Sequence, residues 1–154
     1  MSDAAGSPAP IDATLANEAA GRIPTRPVLL YDDTCRFCRA MAELAMRWDR
    51  KERLAFLPWC HAQAAAWLAD LDPAVRDRSM HMKLRNGRLL SGPHTFTALL
   101  RFLPGLRWLG RLGYRVRPVG WLIERAYLLP ARNREPLSNV VPFRPLVFRE
   151  PDFK

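Results

Sequence analysis

The chain has 154 residues, of which 49% are apolar, 24 are Lys or Arg and 15 are Asp or Glu, so its formal net charge is +9. This length is typical of one domain, and the apolar fraction excludes wholesale disorder. Three cysteines are too few for a disulfide framework, which favours a reducing, cytoplasmic compartment. We expect no secretory signal, because residues 1–24 carry three acidic side chains and no apolar run of signal-peptide length. We expect no membrane span, because no stretch approaches the roughly 20 uninterrupted apolar residues that a span requires.

The positive charge is concentrated in the C-terminal third of the chain. Residues 1–100 carry 13 basic and 11 acidic side chains, whereas residues 101–154 carry 11 basic and 4 acidic ones. A basic surface can bind nucleic acid, anionic lipid or an acidic partner, or it can remain a solvated face. Composition alone leaves these alternatives open.

The first elements can be predicted from composition and hydrophobic period. Residues 1–26 are rich in Ala, Pro and Ser without a sustained period, which predicts a mobile leader. The continuous apolar run at residues 28–31 predicts a strand buried on both faces of a sheet. From Phe37 to Trp48 the apolar positions recur at helical spacing and predict an amphipathic helix.

Shorter elements follow. Residues 54–57 predict a second strand, and residues 61–71 predict a second helix. Pro93 suits the first turn of a third helix. Two further helices are predicted around residues 106–116 and 119–129.

A hairpin is predicted between the second and third helices. Residues 80–85 alternate apolar and polar side chains and lead into Asn86-Gly87, whose two residues tolerate the positive φ of a type I′ turn. The alternation is expected to place Met80 in the core and His81 on the solvent face of an edge strand.

The order of elements predicts an α/β fold, with a mixed sheet flanked by helices and extra helices at the C-terminal end. The domain is expected to occupy residues 27–135, between the leader at 1–26 and a proline-rich tail at 136–154.

The strongest chemical signal is Asp-Asp-Thr-Cys-Arg-Phe-Cys at residues 32–38, where the first strand meets the first helix. If Thr34 or Asp33 caps that helix, Cys35 lies at its N-terminus. There the unbonded N–H groups and the positive end of the helix dipole stabilise a thiolate. Cys38, one turn further on, is then close enough to resolve a mixed disulfide formed by Cys35.

Charged neighbours are expected to tune the two thiols. Arg36 and Arg39 add positive charge, so the pKa of Cys35 is expected to fall below the value of about 8.5 for a free thiol. Asp32 and Asp33 disfavour the thiolate, although Asp32 is a candidate general base for the resolving thiol. Alternatively, Asp33 only caps the helix and Asp32 only forms the turn.

Residues 28–38 resemble the opening of the DCC family of thiol-disulfide oxidoreductases, also known as domain of unknown function 393. The Asp-X-X-Cys-X-X-Cys signature of that family corresponds to Asp32, Cys35 and Cys38. The resemblance implies a thioredoxin-like fold and an enzyme that exchanges with a disulfide-containing protein or a small thiol such as glutathione, without a cofactor. The similarity extends to about residue 135 through later landmarks at positions 80–81, 86–88, 91–92, 127 and 131–134.

Two features depart from this resemblance. Asp33 stands where the family usually has Gly, and Ser79 and Met80 stand where thioredoxin-like enzymes usually hold a cis-proline that faces the cysteines. Substrate docking is therefore expected to differ, with Met80 or His81 in the substrate neighbourhood.

A metal site is the first alternative function. Cys35, Cys38, Cys60 and His61 would make a Cys₃His set of the kind that holds structural zinc. Ligands adjacent in sequence rarely reach one ion together, so we predict no metal and expect Cys60 to be a packed or partly buried thiol.

The basic C-terminal helices suggest a second alternative. Their Arg residues are interleaved with Trp108, Tyr114, Trp121 and Tyr127, a pattern that suits peripheral contact with an anionic membrane or stacking on single-stranded nucleic acid. We favour the simpler interpretation, in which the rings pack on the sheet domain and the Arg side chains stay in water, and do not favour nucleic acid as a partner.

Overall fold

The computed structural model describes residues 18–77, 79–142, 145–146 and 148–154, with the side chains at positions 131 and 134 left out. Residues 1–17 of the predicted leader, and positions 143, 144 and 147 of the predicted tail, lie outside the described residues.

Four short strands form one mixed sheet in the order β2-β1-β3-β4. β1 (Val28–Tyr31) pairs in parallel with β2 (Ala55–Pro58) and antiparallel with β3 (His81–Lys83), which pairs antiparallel with β4 (Leu89–Ser91). The parallel pair needs a crossover connection, which contains α1 (Arg36–Trp48). The predicted α/β architecture, a thioredoxin-like mixed sheet with flanking helices, is confirmed.

The remaining helices cover the sheet and continue beyond it. Pro93 begins its helix as predicted, because proline needs no N–H partner in a first turn. In chain order these helices are α2 (Ala62–Leu68), α3 (Pro73–Arg76), α4 (Pro93–Leu100), α5 (Arg107–Arg115), α6 (Arg117–Arg132) and α7 (Arg134–Val140).

The apolar period does not predict α3 and α7. Asp72 caps α3 by accepting the N–H of Ala74 at 2.7 Å, and Pro73 is its first residue. In α7, Pro136 lies in the first turn, where the missing N–H costs no hydrogen bond. The hydroxyl of Ser138 accepts the N–H of Arg36 at 3.0 Å, so α7 contacts the start of α1.

The central strand β1 is buried on both faces. Leu29 and Tyr31 belong to a core cluster with residues of α1 and α4, and Val28 and Leu30 to a second cluster with residues of α2. Each of the four is at most 4% exposed. Full burial of such an apolar side chain stabilises the fold by about 1.5–3 kcal/mol, so the position of β1 is strongly determined.

The hairpin between β3 and β4 forms, but the predicted turn type is wrong. Gly87 has a φ of 81°, whereas Asn86 does not have a positive φ. The carbonyl of Leu84 accepts the N–H of Gly87 at 3.0 Å, and the N–H of Leu84 donates to the carbonyl of Arg88 at 2.8 Å. Glycine alone takes the left-handed conformation here, as in a three-residue loop with a bulge, so a type I′ turn is not required.

Part of the predicted leader is packed on the domain. Residues 18–21 are helical, and Pro24 forms a bridge with Phe153. The indole N–H of Trp67 in α2 donates to the carbonyl of Arg22 at 3.2 Å. These contacts correct the assignment of residues 18–26 to a mobile leader, whereas the domain boundaries themselves stay a prediction.

The proline-rich tail returns to the open edge of the sheet. Arg149 and Phe56 of β2 exchange two backbone hydrogen bonds of 3.0 Å. The Arg149 guanidinium donates at 3.1 Å to the carboxylate of Asp49, which is 1% exposed and also accepts the N–H of Leu54 at 2.9 Å. A buried charge of this kind requires a partner, so the ion pair helps to hold the tail over the edge of β2.

The C-terminal helices pack closely through glycines. A Cβ at Gly120 would lie 2.5 Å from the carbonyl oxygen of Gly113, so only glycine allows α5 and α6 to approach this near. Tyr127 packs inward, with its ring 5.5 Å from that of Phe96. Among the described helices, none has the length and apolar character needed to cross a bilayer.

The expectation that the other aromatic rings of these helices pack on the sheet domain is wrong. Trp108 is 63% exposed, Tyr114 77% and Trp121 58%. The reason is that glycines, rather than the rings, occupy the inward positions of α5 and the start of α6.

Candidate active site

The Cys-X-X-Cys motif lies at the carboxyl end of β1, where the chain enters α1. Cys35 is the N-cap residue of this helix, with the extended backbone that a cap requires, in place of the expected Thr34 or Asp33. Its Sγ accepts the N–H of Cys38 at 3.2 Å. Both cysteines are partly buried and present as thiols.

This geometry favours negative charge on one of the two sulfurs. The first N–H groups of a helix have no partner within the helix, and the helix dipole is positive at that end. Cys35 Sγ therefore occupies the position in which a capping carboxylate or hydroxyl would normally sit. A sulfur in this position is well suited to act as a nucleophilic thiolate.

Asp32 shapes the turn between β1 and the cap. Its Oδ1 accepts both the backbone N–H of Thr34, at 2.9 Å, and the Thr34 hydroxyl, at 2.6 Å. These bonds keep the carboxylate folded over the turn that leads to Cys35. Asp32 and Cys38 also border the same cavity.

Asp33 faces a different cysteine from the one predicted. Its Oδ1 accepts the backbone N–H of Cys60 at 3.0 Å, and its carbonyl accepts from Nε of Arg39. Partial removal of the sulfur from water, followed by the negative charge of Asp33, raises the pKa of the Cys60 thiol. Cys60 is exposed rather than packed, which corrects the expectation for this residue.

The nearness of Cys60 to the motif follows from strand pairing. Tyr31 lies opposite Pro58 in the parallel pair of β1 and β2, so the residues that follow the two strands meet at one edge of the sheet. Sequence analysis did not predict the contact between Asp33 and Cys60, because it did not use the position of Cys60 directly after β2. The signal was present, since two successive strands joined by a helix are typically parallel.

The two cations predicted to tune the thiols lie on α1. Arg36 is the first residue of the helix and is exposed. Arg39 is partly buried and donates to the backbone of Asp33. Arg39 also acts electrostatically on Cys60, where its positive charge opposes the rise in pKa.

The zinc ligand set is not assembled. His61 caps α2, and its Nδ1 accepts the N–H of Gln63 at 3.2 Å, while the thiol of Cys60 interacts with Asp33. Within the described part of the chain, no three side chains of His, Cys, Asp or Glu lie close enough together to hold a metal ion.

A cavity of about 310 Å³ adjoins the motif. Among the described residues that line it, Asp32 is the single charged one, and Cys38 lines it as well. The other walls are almost entirely aliphatic and aromatic, from β1, α1, α4 and the end of α6. Apolar cavities with few polar groups are typical binding sites for apolar ligand groups.

Met80 lies in the wall of the same cavity as Cys38. It borders the cavity together with Ser79 and Trp59, and its N–H donates to the hydroxyl of Tyr127 at 3.2 Å. The described residues contain no cis peptide bond. A tyrosine of α6 contacts the segment before β3. The sequence indicated Tyr127 as a family landmark and as one of the rings of the basic helices, but it did not predict this contact.

His81 is fully buried, which corrects its expected place on a solvent face. The reason is that β3 is not an edge strand: it lies between β1 and β4. The ring Nε2 is 3.0 Å from the carbonyl of Arg76 and Nδ1 is 2.9 Å from the hydroxyl of Ser91. A carbonyl only accepts, so Nε2 carries the proton and Nδ1 accepts from Ser91.

These observations define a thioredoxin-like α/β protein with two thiols at the N-terminus of its first crossover helix. A family model described as DCC1-like thiol-disulfide oxidoreductase matches residues 29–140. The chain belongs to this family, which confirms the resemblance found in the sequence. Neither the curated proteins nor the solved structures contain a significant match to the chain.

The buried imidazole predicts a pH dependence of stability. Burial lowers the pKa of His81, so the folded protein keeps the ring neutral while the unfolded chain binds a proton below about pH 6.5. The free energy of unfolding should therefore fall as the pH decreases from about 6.5, by up to about 1.4 kcal/mol per pH unit from this group. Urea unfolding between about pH 5 and about pH 7.5 measures this slope.

The variant His81→Gln should lose this part of the slope. His94→Gln is the comparison variant, because the His94 side chain is 76% exposed, and it should change the slope less than His81→Gln does. An unchanged slope in His81→Gln would contradict the assignment.

Proposed function

We propose that the protein is an enzyme that catalyses thiol-disulfide exchange, with Cys35 as nucleophile and Cys38 as resolving thiol. The hydrogen bond from the Cys38 N–H to Cys35 Sγ, 3.2 Å long at the cap of α1, is the observation that carries this proposal. It supports a thiolate at Cys35, and the thiolate is the reactive form in disulfide exchange.

The reaction has two exchanges. The Cys35 thiolate attacks one sulfur of a substrate disulfide, a bond forms between them, and the second substrate sulfur leaves as a thiolate that takes up a proton. Cys38 then loses its proton and attacks Cys35, which releases the first substrate sulfur. The substrate gains two electrons, and the protein is left with a Cys35–Cys38 disulfide that a reducing thiol restores.

We assign Asp32 the role of proton acceptor for Cys38. The carboxylate and the Cys38 side chain border one cavity whose other walls are nearly all apolar. In such surroundings few groups can accept the proton that Cys38 must lose before it attacks. Asp33, which bonds to the N–H of Cys60, is less well placed for this task.

The preferred partner is a disulfide flanked by apolar side chains in a protein or peptide. The cavity beside Cys38 offers aromatic and aliphatic walls and one carboxylate, and none of the described residues that line it is positively charged. Glutathione carries carboxylates that Asp32 would repel and that gain no cation in the cavity.

The three cysteines, too few for a structural disulfide framework, support work in a reducing, cytoplasmic compartment.

Replacing the two motif cysteines should have different effects. In a single turnover of reduced protein with a cystine-bridged peptide, Cys35→Ser should abolish exchange, because the nucleophile is lost. Cys38→Ser should instead accumulate a Cys35–peptide mixed disulfide, which intact-mass measurement detects. Cys60→Ser is the control and should react as the wild type does.

Equal activity of Cys35→Ser and Cys38→Ser would overturn the proposal. So would a peptide trapped on Cys60. In glutathione buffers, thiol trapping should show one reversible two-electron transition confined to Cys35 and Cys38.

The variant Asp32→Asn tests the proton acceptor. It preserves an oxygen for the bonds to Thr34 but removes the basic carboxylate. Formation of the mixed disulfide should proceed at the wild-type rate, while its resolution near pH 7 slows by about tenfold or more and recovers as pH rises. Asp33→Asn is the matched control, and resolution at the wild-type rate in both variants would contradict the role of Asp32.

Substrate choice can be measured by competition. Two cystine peptides of equal length, one with Phe and Leu beside the cysteines and one with Glu there, are compared with oxidised glutathione. The second-order rate constant should be highest for the apolar peptide, by about tenfold or more, because only its flanking groups gain by burial in the cavity. Equal rate constants for all three disulfides would show that the cavity does not select the substrate.

A further inference from the structure

The outer surface of the C-terminal helices exposes large apolar side chains that the redox site does not use. Leu122 is 62% exposed and Leu129 68%, in addition to Trp108, Tyr114 and Trp121. Isolated apolar side chains at a surface are ordinary, but five large ones on two adjoining helices are not.

The exposed apolar residues share helix faces with arginines. On α5, Trp108 and Leu112 lie on the same face as Arg111 and Arg115, at spacings of three, four and seven residues. On α6, the corresponding face combines Trp121, Leu122, Arg125 and Leu129. We call these eight residues the Trp/Arg surface.

The helices cannot turn this surface inward. On their inner side, a Cβ at Gly113 would lie 2.6 Å from Cδ1 of Ile123, and Ile123 itself is 7% exposed. Rotation of either helix would replace these close glycine contacts with bulky rings. The exposure of the Trp/Arg surface is therefore built into the packing of α5 against α6.

The charge of this region is almost entirely of one sign. Residues 107–132 contain six arginines and one acidic residue, Glu124. Glu124 is 3.0 Å from Nδ1 of His94, and the Arg125 guanidinium lies 5.0 Å from the centre of the Trp121 ring. An anionic surface would thus meet many guanidinium groups and little opposing charge.

We propose that the Trp/Arg surface binds the headgroup region of an anionic phospholipid bilayer, with α5 and α6 lying along the membrane plane. Arginines would bind lipid phosphates in bidentate fashion, and the indole rings suit the boundary between headgroups and acyl chains. Leu112, Leu122 and Leu129 favour lipid over nucleic acid, because a leucine side chain has no ring to stack on a base. Neither helix spans a bilayer, so the contact is peripheral.

Vesicle binding tests the proposal with the full chain. Cosedimentation is measured with vesicles of phosphatidylcholine alone and of phosphatidylcholine with phosphatidylglycerol. The protein should bind the anionic vesicles at least about tenfold more strongly, and the binding should weaken as salt is added. The double variant Trp121→Ser/Leu122→Ser should lose about tenfold in affinity through its apolar contribution.

Two double variants with the same change in net charge distinguish the effect of the Trp/Arg surface from the effect of total charge. Arg111→Glu/Arg125→Glu and the control Arg50→Glu/Lys51→Glu change the charge equally, and all four positions are exposed. Only the first variant should lose vesicle binding. The proposal is overturned if neither vesicle is bound at low salt, if the control loses binding equally, or if a single-stranded oligonucleotide is bound more tightly than the anionic vesicles.

Discussion

The burial of β1 between β2 and β3 is the constraint on which the candidate site depends. All four side chains of this strand lie in the core, two on each face, so the strand can neither slip nor tilt without exposing apolar surface. Its carboxyl end is thereby fixed in space. The Asp32 turn and the cap at Cys35 follow directly from that end, so the placement of the sulfur is determined by the core of the sheet.

The site joins two different physical environments at one pair of cysteines. Cys35 Sγ accepts a backbone N–H at the start of α1, whereas Cys38 borders a cavity with mostly apolar walls. Charge is stabilised at the first sulfur, and apolar groups are favoured beside the second. This division is what the proposed exchange requires, because its first thiol must be ionised and its second must attack inside a bound complex.

The C-terminal helices are part of this arrangement rather than an appendage. Tyr127 of α6 holds the backbone of Met80 at the cavity wall, and Ser138 of α7 contacts the start of α1. The match of the family model to residues 29–140 includes these helices. The opposite side of α5 and α6 carries the exposed Trp/Arg surface, so the same two helices face the sheet domain on one side and solvent on the other.

Local pattern in the sequence was enough to predict most of the strands and helices and the place of the two motif cysteines. The buried run of β1, the helical period of α1 and the Cys-X-X-Cys spacing predicted thiols at a helix N-terminus in an α/β fold, because these are properties of neighbouring residues. The thioredoxin-like fold was implied by the family resemblance. Only the tertiary structure decided what depends on contacts between distant segments. His81 is buried because β3 lies between β1 and β4 in the sheet. Asp33 accepts a hydrogen bond from Cys60 because β1 and β2 run parallel and end at the same edge. Trp121 is exposed because Gly113 and Gly120 occupy the contact between α5 and α6. Hydrophobic period reports that a residue has an apolar neighbour somewhere, but not which segment supplies it.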